Sequence, residues 1–361
     1  MNVPACSVVT TSVETERLVI SLLSEEEGGR WDEFVFRHPH GTPFHLTAWK
    51  RSIEETFRYR SFYVIAQDER GRIKGVLPLF LVRNLLLHKM LISSPFAVYG
   101  GILADSGESR LALRNYATEL GRKLGVHSIE LRNAYPEQCT GSPNVHRYVT
   151  FTQEVGPDEG RILESIPRKT RYMVRKALRE GFSSIRKEQD FRAFEDLYSK
   201  SLRKLGTPSF PKKHFERILA NFKGMVDMRE VMLQGRVVSA VMTFYFRDQV
   251  LPYYGASDPT FNASAPNNYM YYDLMRWAGQ NGYRTYDFGR SKKLGSGSYD
   301  FKAHWGMVER ELPYETILMK GKTLPNCSPT NSHLQGLIKV WQHLPLQVTR
   351  VIGPYFLRLV P

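Results

Sequence analysis

The sequence predicts a mixed α/β (α+β) protein that consists of two similar units and a C-terminal tail. Its 361 residues exceed the roughly 250–300 residues at which a single hydrophobic core stops growing. One order of predicted elements occurs twice, with helices first, then a β-meander, then a helix and a strand. The segment 333–361 has no acidic residue and carries apolar residues at helical spacing. We therefore predict units at 1–150 and 151–325 and a tail at 326–361.

Helical and alternating spacings of apolar residues predict the elements of both units. Asp68-Glu-Arg-Gly71 marks a turn between two strands, and Asp190 is a suitable N-terminal cap for the helix after it. The first unit has predicted strands at 17–22, 61–67, 73–83, 91–103 and 128–132, and helices at 25–37, 48–56 and 107–125. After a loop at 135–143, the second unit has predicted helices at 157–165, 168–180, 191–205, 211–222 and 267–281. Its predicted strands are 184–187, 225–233, 237–247, 250–256 and 285–289, followed by a hairpin that closes near residue 319.

The charge of the chain is unusual, whereas its composition is that of an ordinary globular protein. Hydrophobic residues make up 42% and charged residues 24% of the sequence, and the net charge is +14. Residues 161–225 hold 17 Lys or Arg against 7 Asp or Glu. Such a surplus attracts a nucleic acid, a phosphorylated donor or an anionic membrane. A solvated basic face is the alternative.

The cysteines and histidines indicate neither a disulfide framework nor a metal site. Cys6, Cys139 and Cys327 are odd in number and far apart, and no His-Glu-x-x-His spacing occurs. Residues 1–23 lack the apolar core of a signal peptide, and the apolar run 75–103 is interrupted by charges and prolines. We expect a cytoplasmic protein without a bound metal.

The stretch 287–306 is the most informative part of the chain. It reads Asp287-Phe-Gly-Arg-Ser291, then a small-residue turn around Gly295, then Tyr299-Asp-Phe-Lys-Ala-His-Trp-Gly306. Aromatic residues anchor the backbone there, and glycines let a ligand come close to the charged side chains. The pattern favours a site for an anionic substrate. A β-hairpin with a charged tip would carry the same turn residues.

Seven segments carry a family resemblance in the right order along nearly the whole chain. They are Pro43-Phe-His-Leu-Thr-Ala-Trp49, Gly75-Val-Leu-Pro-Leu79, Pro95-Phe-Ala-Val-Tyr-Gly-Gly-Ile-Leu-Ala-Asp105, Ile166-Pro-Arg-Lys-Thr-Arg-Tyr-Met-Val-Arg-Lys-Ala177, Gly206-Thr-Pro-Ser-Phe-Pro211, Tyr286-Asp-Phe-Gly-Arg-Ser291 and Gly297-Ser-Tyr-Asp-Phe-Lys-Ala-His-Trp-Gly306. As a set they resemble the FemAB family of acyltransferases in the GNAT superfamily. The details are most similar to the subgroup that accompanies exosortase and PEP-CTERM sorting with exopolysaccharide production. The resemblance implies two tandem GNAT-like units, each with a mixed, mostly antiparallel sheet flanked by helices.

The resemblance also implies a reaction. An acyl or aminoacyl group would move from acyl-CoA, acyl carrier protein or aminoacyl-tRNA to an amine of a cell-envelope or exopolysaccharide precursor, without a bound cofactor. One departure concerns the donor. Where acetyltransferases carry a Gly-x-Gly/Ala pyrophosphate signature, this chain has Ser257-Asp-Pro-Thr-Phe-Asn-Ala-Ser-Ala-Pro-Asn267, with an acid and no glycine pair. This departure argues against acetyl-CoA itself.

Four residues are the predicted catalytic groups. Asp287 would accept a proton from the attacking amine or orient it, and Arg290 and Lys302 would stabilise developing charge. Lys302 matches the lysine of the family motif Phe-Lys-x-x-Trp/Phe-Gly. Tyr254 is a second candidate for proton delivery. An Asp287–Arg290 ion pair that holds the loop is the alternative.

The predicted binding residues lie elsewhere in the chain. Four arginines at spacings of three and four put their guanidinium groups on one helical face, where they suit phosphate unless the face is only solvated. Free N–H groups at the start of a helix also favour an anion, although the asparagines there suit plain capping. The predicted donor-binding residues are Arg168, Arg171, Arg175, Arg179, Asn268 and Ser291, and the acceptor-binding residues implied by the resemblance are His45, Trp49 and Tyr99.

The tail at 333–361 carries Lys339, Arg350 and Arg358 beside two apolar stripes. Basic amphipathic helices of this kind lie on anionic membranes, which would place the protein at the inner face of the membrane. The alternative is an arm that packs on the body of the protein. A non-catalytic scaffold that binds RNA or membrane through the basic helix and the tail is the rival function. The oligomeric state stays open.

Overall fold

The computed structural model describes residues 17–141, 147–293, 297–321 and 332–359, except for the side chains at 332–335 and 337. Predictions for residues 1–16, for Cys6, Cys327 and Gly295, and for the last residues of the loop at 135–143 lie outside the described residues.

The first half of the chain contributes six strands and three helices. They are β1 (Val19–Leu22), α1 (Gly28–Arg37), α2 (Thr47–Phe57), β2 (Arg60–Gln67), β3 (Ile73–Arg83), β4 (Lys89–Ile92), β5 (Leu103–Ala104), α3 (Gly107–Leu124) and β6 (Ser128–Leu131).

The second half adds nine strands and eight helices within the described ranges. They are β7 (Tyr148–Glu154), α4 (Glu159–Ser165), α5 (Arg168–Arg179), β8 (Ser183–Lys187), α6 (Arg192–Lys204), α7 (Lys212–Asn221), β9 (Val226–Leu233), β10 (Arg236–Phe246), β11 (Gln249–Ser257), α8 (Pro266–Gln280), β12 (Thr285–Asp287), β13 (Ser291–Lys292), α9 (Gly297–Ala303), β14 (Val308–Glu311), β15 (Glu315–Leu318), α10 (Ser332–His343) and α11 (Leu346–Leu357).

The strands form two mixed sheets, one for each unit. The first sheet has the order β1-β2-β3-β4-β6-β15, with β5 also paired to β3. The second has the order β13-β7-β12-β11-β10-β9-β8, with β14 also paired to β7. Only β4–β6 and β11–β12 are parallel pairs among these strands. Both sheets are therefore mostly antiparallel.

Local sequence signals explain where the helices lie, and α3 illustrates them. Its first turn is fixed by a capping box between Ser106 and Ser109, and it ends at Gly125, which has a φ of 66°. Leu113, Ala117 and Gly121 recur every four residues and are buried against the sheet.

Three predictions of secondary structure were wrong in part. The predicted strand at 91–103 ends at Ile92, because Ser94 and Phe96 have positive φ values of 50° and 61°, which a strand does not accommodate. The turn predicted at residues 295–298 is wrong at Gly297 and Ser298, because these two residues begin a helix, α9. Strand β7 was not predicted at all, although it pairs with β12, β13 and β14 near the middle of the second sheet.

The predicted final hairpin does not form, because its two strands belong to different sheets. β14 pairs with β7, whereas β15 pairs with β6 of the first sheet, with Glu315 opposite Leu131. Between them, Leu312 and Tyr314 are buried, and the Tyr314 hydroxyl donates to the carbonyl of Val98. This buried contact between the units lies where the chain passes from the second sheet to the first.

The two units also share a hydrophobic core. Phe44 of the first unit lies 5.5 Å from Phe244 of the second, measured between ring centroids, and Trp49 lies 6.1 Å from Phe244. All three side chains are fully buried. The units are therefore packed as one body around aromatic residues.

The tail packs on the body of the protein along one of its faces. In α11, Thr349, Gly353 and Leu357 recur every four residues and are buried. Arg350 pairs with Asp196 of α6 at 2.8 Å, and Tyr59 donates to the carbonyl of Arg358 at 2.8 Å. None of the helices in the described part of the chain combines the length and the apolar character needed to cross a membrane.

Helix α8 depends on a close backbone approach at Gly279. A Cβ atom at this position would lie 1.9 Å from the carbonyl oxygen of Gly156, so a side chain cannot be added without movement of backbone. We expect Gly279→Ala to lower the free energy of unfolding by about 1–3 kcal/mol, as overpacking typically does. Urea unfolding provides the measurement. Gly336→Ala is the matched control, because α10 has open space there, and it should leave stability unchanged or raise it. Equal effects of both substitutions would contradict the expectation.

Candidate active site

Asp287 ends β12 and is buried between the two units. Its carboxylate accepts hydrogen bonds from the Tyr99 hydroxyl at 2.6 Å, the Thr150 hydroxyl at 2.7 Å and the Gly289 N–H at 2.7 Å. The positive φ of Gly289, 65°, lets the chain turn so that this N–H points back. Three donors fix the orientation of the carboxylate. This geometry favours the orienting role over the role of a base.

Lys302 holds the loop that follows Asp287. Its Nζ donates to the carbonyls of Phe288, Gly289 and Arg290 at 2.6, 3.1 and 3.1 Å. Burial lowers the pKa of Lys302 to about 8, although the nearby Asp287 acts in the opposite direction. The ammonium group thus lies next to the chain segment that carries both predicted charges, and a small change in its surroundings alters its protonation near neutral pH.

Arg290 lies among tyrosines and makes no ion pair within the described part of the chain. Its guanidinium carbon is 4.7 Å from the ring centroid of Tyr148 and 5.9 Å from that of Tyr314. Asp287 is occupied by its three donors, so the Asp287–Arg290 ion pair considered as an alternative does not form. Arg290 instead stacks on aromatic faces at the boundary between the units.

Beside Asp287, two parallel strands separate. β11 pairs with β12 only at Gln249–Thr285 and Val250–Tyr286. A register shift in the β10–β11 pair leaves Tyr253 without a cross-strand partner, so β11 bends. Beyond Val250 and Tyr286 the two strands are no longer paired with each other. Tyr271 of α8 lies beside this unpaired part of β11, since a Cβ at Gly255 would lie 2.8 Å from its hydroxyl.

The predicted donor-binding arginines lie on α5 next to this region. Thr170, Val174 and Ala177 bury one face of the helix, while Arg168, Arg175 and Arg179 are exposed and Arg171 is half-buried. Thr170 donates to the carbonyl of His304 after α9, and Lys176 donates to that of Ala263 before α8. Among the described residues no carboxylate pairs with any of the four arginines. Helix α5 therefore presents an unneutralised basic row beside both segments.

Ser291 and Asn268 belong to other elements than that row. Ser291 is buried in β13, with its hydroxyl 3.5 Å from that of Ser298. Asn268 lies in the first turn of α8, and its N–H donates to the carbonyl of Ala265. A donor role for these two residues stays a prediction.

Three other predicted residues are core side chains. His45 is fully buried between Thr42 and the carbonyl of Gly101, and burial lowers its pKa to about 3. Trp49 is fully buried as well. Tyr254 points away from Asp287, because its hydroxyl lies 3.1 Å from Nε2 of His214 under helices α6 and α7. Of the acceptor-side residues, Tyr99 alone is joined to Asp287.

Thr150 belongs to the site and was not identified from the sequence. It lies on β7, and its hydroxyl bonds both Asp287 and, at 3.1 Å, the Tyr99 hydroxyl. Within the segment Tyr148-Val-Thr-Phe-Thr-Gln-Glu154, apolar residues and threonines alternate from Val149 to Thr152, which is typical of a strand. That alternation was the available signal.

Comparison with known families bears on this geometry. Residues 168–303, which include α5, the separated strands, Asp287 and Lys302, match a family model described as an acetyltransferase (GNAT) domain. The chain contains a GNAT acetyltransferase domain. A GNAT domain indicates an acyltransferase. No curated protein matches the sequence.

Three solved structures have folds similar to that of this GNAT-containing chain. FemX is 17% identical with a TM-score of 0.66, covering 90% of this chain and 100% of FemX. A tandem GNAT protein from the clavulanic acid biosynthesis pathway is 12% identical with a TM-score of 0.51, covering 85% and 100%. The C-terminal domain (DUF2156) of a proposed lysylphosphatidylglycerol synthetase from Agrobacterium fabrum is 9% identical with a TM-score of 0.52, covering 82% and 92%. At these identities the likeness establishes the fold alone, and it confirms the predicted tandem GNAT-like architecture.

Tyr99→Phe tests whether the carboxylate depends on a donor from the other unit. The substitution removes a hydrogen bond to a buried charge, so we expect the free energy of unfolding to fall by about 1.5–3 kcal/mol. Tyr253→Phe is the matched control, since the Tyr253 hydroxyl donates across the same boundary to the neutral carbonyl of Phe96 at 2.7 Å. Its loss should be smaller, about 0.5–1.5 kcal/mol. Urea unfolding of both variants gives the comparison, and equal losses would rule out a special role for the charge.

The lowered pKa of Lys302 predicts a pH dependence of stability. Unfolded lysine keeps its proton up to its ordinary pKa of 10.5, whereas folded Lys302 releases it at about 8. As pH rises through this window, only the folded state loses the proton, so the free energy of unfolding rises. Relative to Lys302→Met, the wild-type value should increase by at most about 1.4 kcal/mol per pH unit. Chemical unfolding at intervals between pH 7 and 10.5 measures this difference, and parallel curves for the two proteins would refute it.

Proposed function

We propose that the protein transfers an aminoacyl group from aminoacyl-tRNA to an amine of a cell-envelope precursor. The observation that carries the proposal is the separation of β11 from β12 beside Asp287 and Lys302, inside the GNAT domain. A gap of this kind gives an extended acyl donor access to backbone groups that would otherwise pair in the sheet. Charged groups held around the gap can then stabilise the charge that develops on the carbonyl.

The basic row on α5 supports a nucleic acid as donor. From Arg168 to Arg179 the row extends over about 16 Å of helix, which matches several phosphates along a strand. Tyr172 is exposed between the arginines, where an aromatic ring can stack on a base. Like charges spaced by three and four residues destabilise a helix unless a counter-ion binds. An RNA backbone would supply that counter-ion.

Two features argue against acyl-CoA as the donor. Asp258, which begins the segment before α8, places an acid where a pyrophosphate would have to bind, and its side chain already caps the N–H of Thr260. The Tyr271 hydroxyl against Gly255 narrows the gap between the strands. An acyl-CoA or acyl carrier protein donor is the alternative outcome of the test below.

The acceptor amine would approach Asp287 from the side of the first unit. A cavity of about 40 Å³ adjoins the carboxylate there, lined by Thr42, Tyr99, Thr152 and Arg310 among others. This volume suits one water molecule or one amino group. Asp287 would orient the amine, and Lys302 would stabilise the charge on the carbonyl oxygen. The exosortase-associated subgroup and the exopolysaccharide precursor stay predictions.

The first experiment measures binding and transfer with two donor classes. Purified protein is titrated with bulk aminoacyl-tRNA and with a panel of acyl-CoAs across a salt series, and transfer of the label to peptide and amino-sugar precursors is followed. We expect aminoacyl-tRNA to stay bound near physiological salt. Arg175→Glu with Arg179→Glu should weaken tRNA binding at least about tenfold and reduce the slope of log affinity against log salt. The matched control is Arg161→Glu on α4, an exposed arginine outside the row.

Turnover separates an enzyme from a scaffold. Lys302→Met should lower kcat about 100-fold, because it removes a positive charge beside the site and the hydrogen bonds that hold the loop after Asp287, while tRNA binding is retained. Circular dichroism and urea unfolding check that the variant is folded. Unchanged turnover of folded Lys302→Met would contradict the assignment of the catalytic site. Binding of tRNA without any transfer would favour the RNA-binding scaffold. Selective binding of one acyl-CoA would identify acyl-CoA, and not aminoacyl-tRNA, as the donor.

A further inference from the structure

One end of the first sheet collects exposed cations from four separate segments. β3 ends at Arg83, which pairs with Lys89, and the start of β2 at Arg60 lies opposite Leu81 of the same strand. β6 begins at Ser128, which pairs with Met90 and with Leu318. The residues just beyond these positions therefore lie at the same end of the sheet. The exposed cations there are Arg58, Arg60, Arg83, Lys89, Arg122, Lys123 and Lys320.

Carboxylates do little to neutralise this end of the sheet. Arg122 pairs with Glu119. Lys89 and Lys320 donate to the carbonyls of Leu124 and Gly125 at the C-terminal end of α3, and not to carboxylates. In the described ranges the other four cations form no ion pair. The result is a strong positive field at one end of the first unit.

Two leucines project from the middle of this basic end. Leu86 is 57% exposed and Leu87 is 60% exposed, at the tip of the β3–β4 hairpin. The tip is ordered by Asn84, whose side-chain oxygen accepts from the N–H of Leu86 at 2.9 Å and of His88 at 3.0 Å. A turn that is ordered by hydrogen bonds thus exposes two apolar side chains to solvent.

The backbone at Leu87 is strained, although its side chain is exposed. Leu87 has a φ of 58°, a left-handed conformation that glycine or asparagine adopts with less strain. A leucine at this position adds strain and, being exposed, gains little packing within the chain. Its apolar side chain is removed from water, and so contributes a favourable free energy, only if a partner outside the chain covers it.

The C-terminal helix brings more apolar surface to the same end. Tyr59, next to the start of β2, donates to the carbonyl of Arg358 and so holds the end of α11 there. One turn earlier on the helix, Tyr355 is 68% exposed, and Phe356 beside it is 47% exposed. Aromatic rings of this kind favour the boundary between water and lipid.

We propose that this end of the first unit, formed by the β3–β4 tip, the surrounding cations and the end of α11, docks on an anionic lipid bilayer. Leu86 and Leu87 would enter the acyl boundary, and the cations would contact lipid phosphates. The charge complementarity and the apolar tip together fit a bilayer better than a nucleic acid, which offers no apolar layer. This inference goes beyond the proposed reaction and does not depend on it.

Vesicle sedimentation tests the proposal with the full chain. Wild-type protein should sediment with vesicles of phosphatidylcholine and phosphatidylglycerol, and much less with phosphatidylcholine alone, with retention falling as salt rises. Leu86→Ser with Leu87→Ser should weaken binding at least about tenfold. The matched control is Leu111→Ser, since Leu111 is 50% exposed in the first turn of α3, at the other end of that helix. This control should bind like the wild type.

Leu87→Gly separates docking from folding. Because glycine suits the left-handed backbone, this variant should keep or raise the urea midpoint and still bind vesicles more weakly. The proposal is overturned if the wild type does not bind anionic vesicles, if neutral vesicles bind equally well, or if Leu111→Ser and Leu87→Gly behave alike. Sedimentation velocity without vesicles supplies a further check. A dimer that the leucine substitutions dissolve would identify a second copy of the chain as the occupant and would also overturn the proposal.

Discussion

The buried carboxylate of Asp287 is the group on which the arrangement of the two units depends. A charge at this depth is tolerated only when hydrogen bonds replace its lost water, and Asp287 has three. One donor, Tyr99, comes from the first unit, and another, Thr150, comes from β7. Any displacement of the units would deprive the carboxylate of the Tyr99 donor. The packing between the units therefore also determines the geometry of the candidate site at the end of β12.

Other contacts across the boundary also hold the two units in this arrangement. β15 leaves the second unit to join the first sheet, and Arg247 donates to the carbonyls of His38, Pro39 and Gly41. The shared core around Phe244 adds apolar contact beneath these polar ones. Because β15 is covalently continuous with the second unit and the shared core is buried, the position of Tyr99 relative to Asp287 is fixed by the whole boundary.

The sequence predicted most helices and strands because periodicity and capping are local properties, as at Ser106 and Gly125. The sequence did not predict the features that depend on contacts between distant parts of the chain. Whether β14 and β15 form a hairpin depends on burial of Tyr314 against the other unit, which no local pattern reveals. The candidate site divides in the same way: the structure brings Asp287 and the loop held by Lys302 together, whereas His45, Trp49 and Tyr254 are buried core side chains. An aromatic or histidine residue in a sequence does not indicate which side of a sheet it faces.

The positive charge is concentrated on two surfaces, and both conflict with local rules of stability. The row on α5 places like charges at helical contact distance, and the β3–β4 tip exposes a leucine in a left-handed conformation. Neither feature improves packing within the chain. Natural sequences depart from local consistency mainly where a partner supplies the missing interaction. The two surfaces belong to different units, so one partner at α5 and another at the end of the first sheet can be bound at the same time. A donor and a membrane-associated acceptor would then be held by a single rigid body, with Asp287 at the boundary between its two units.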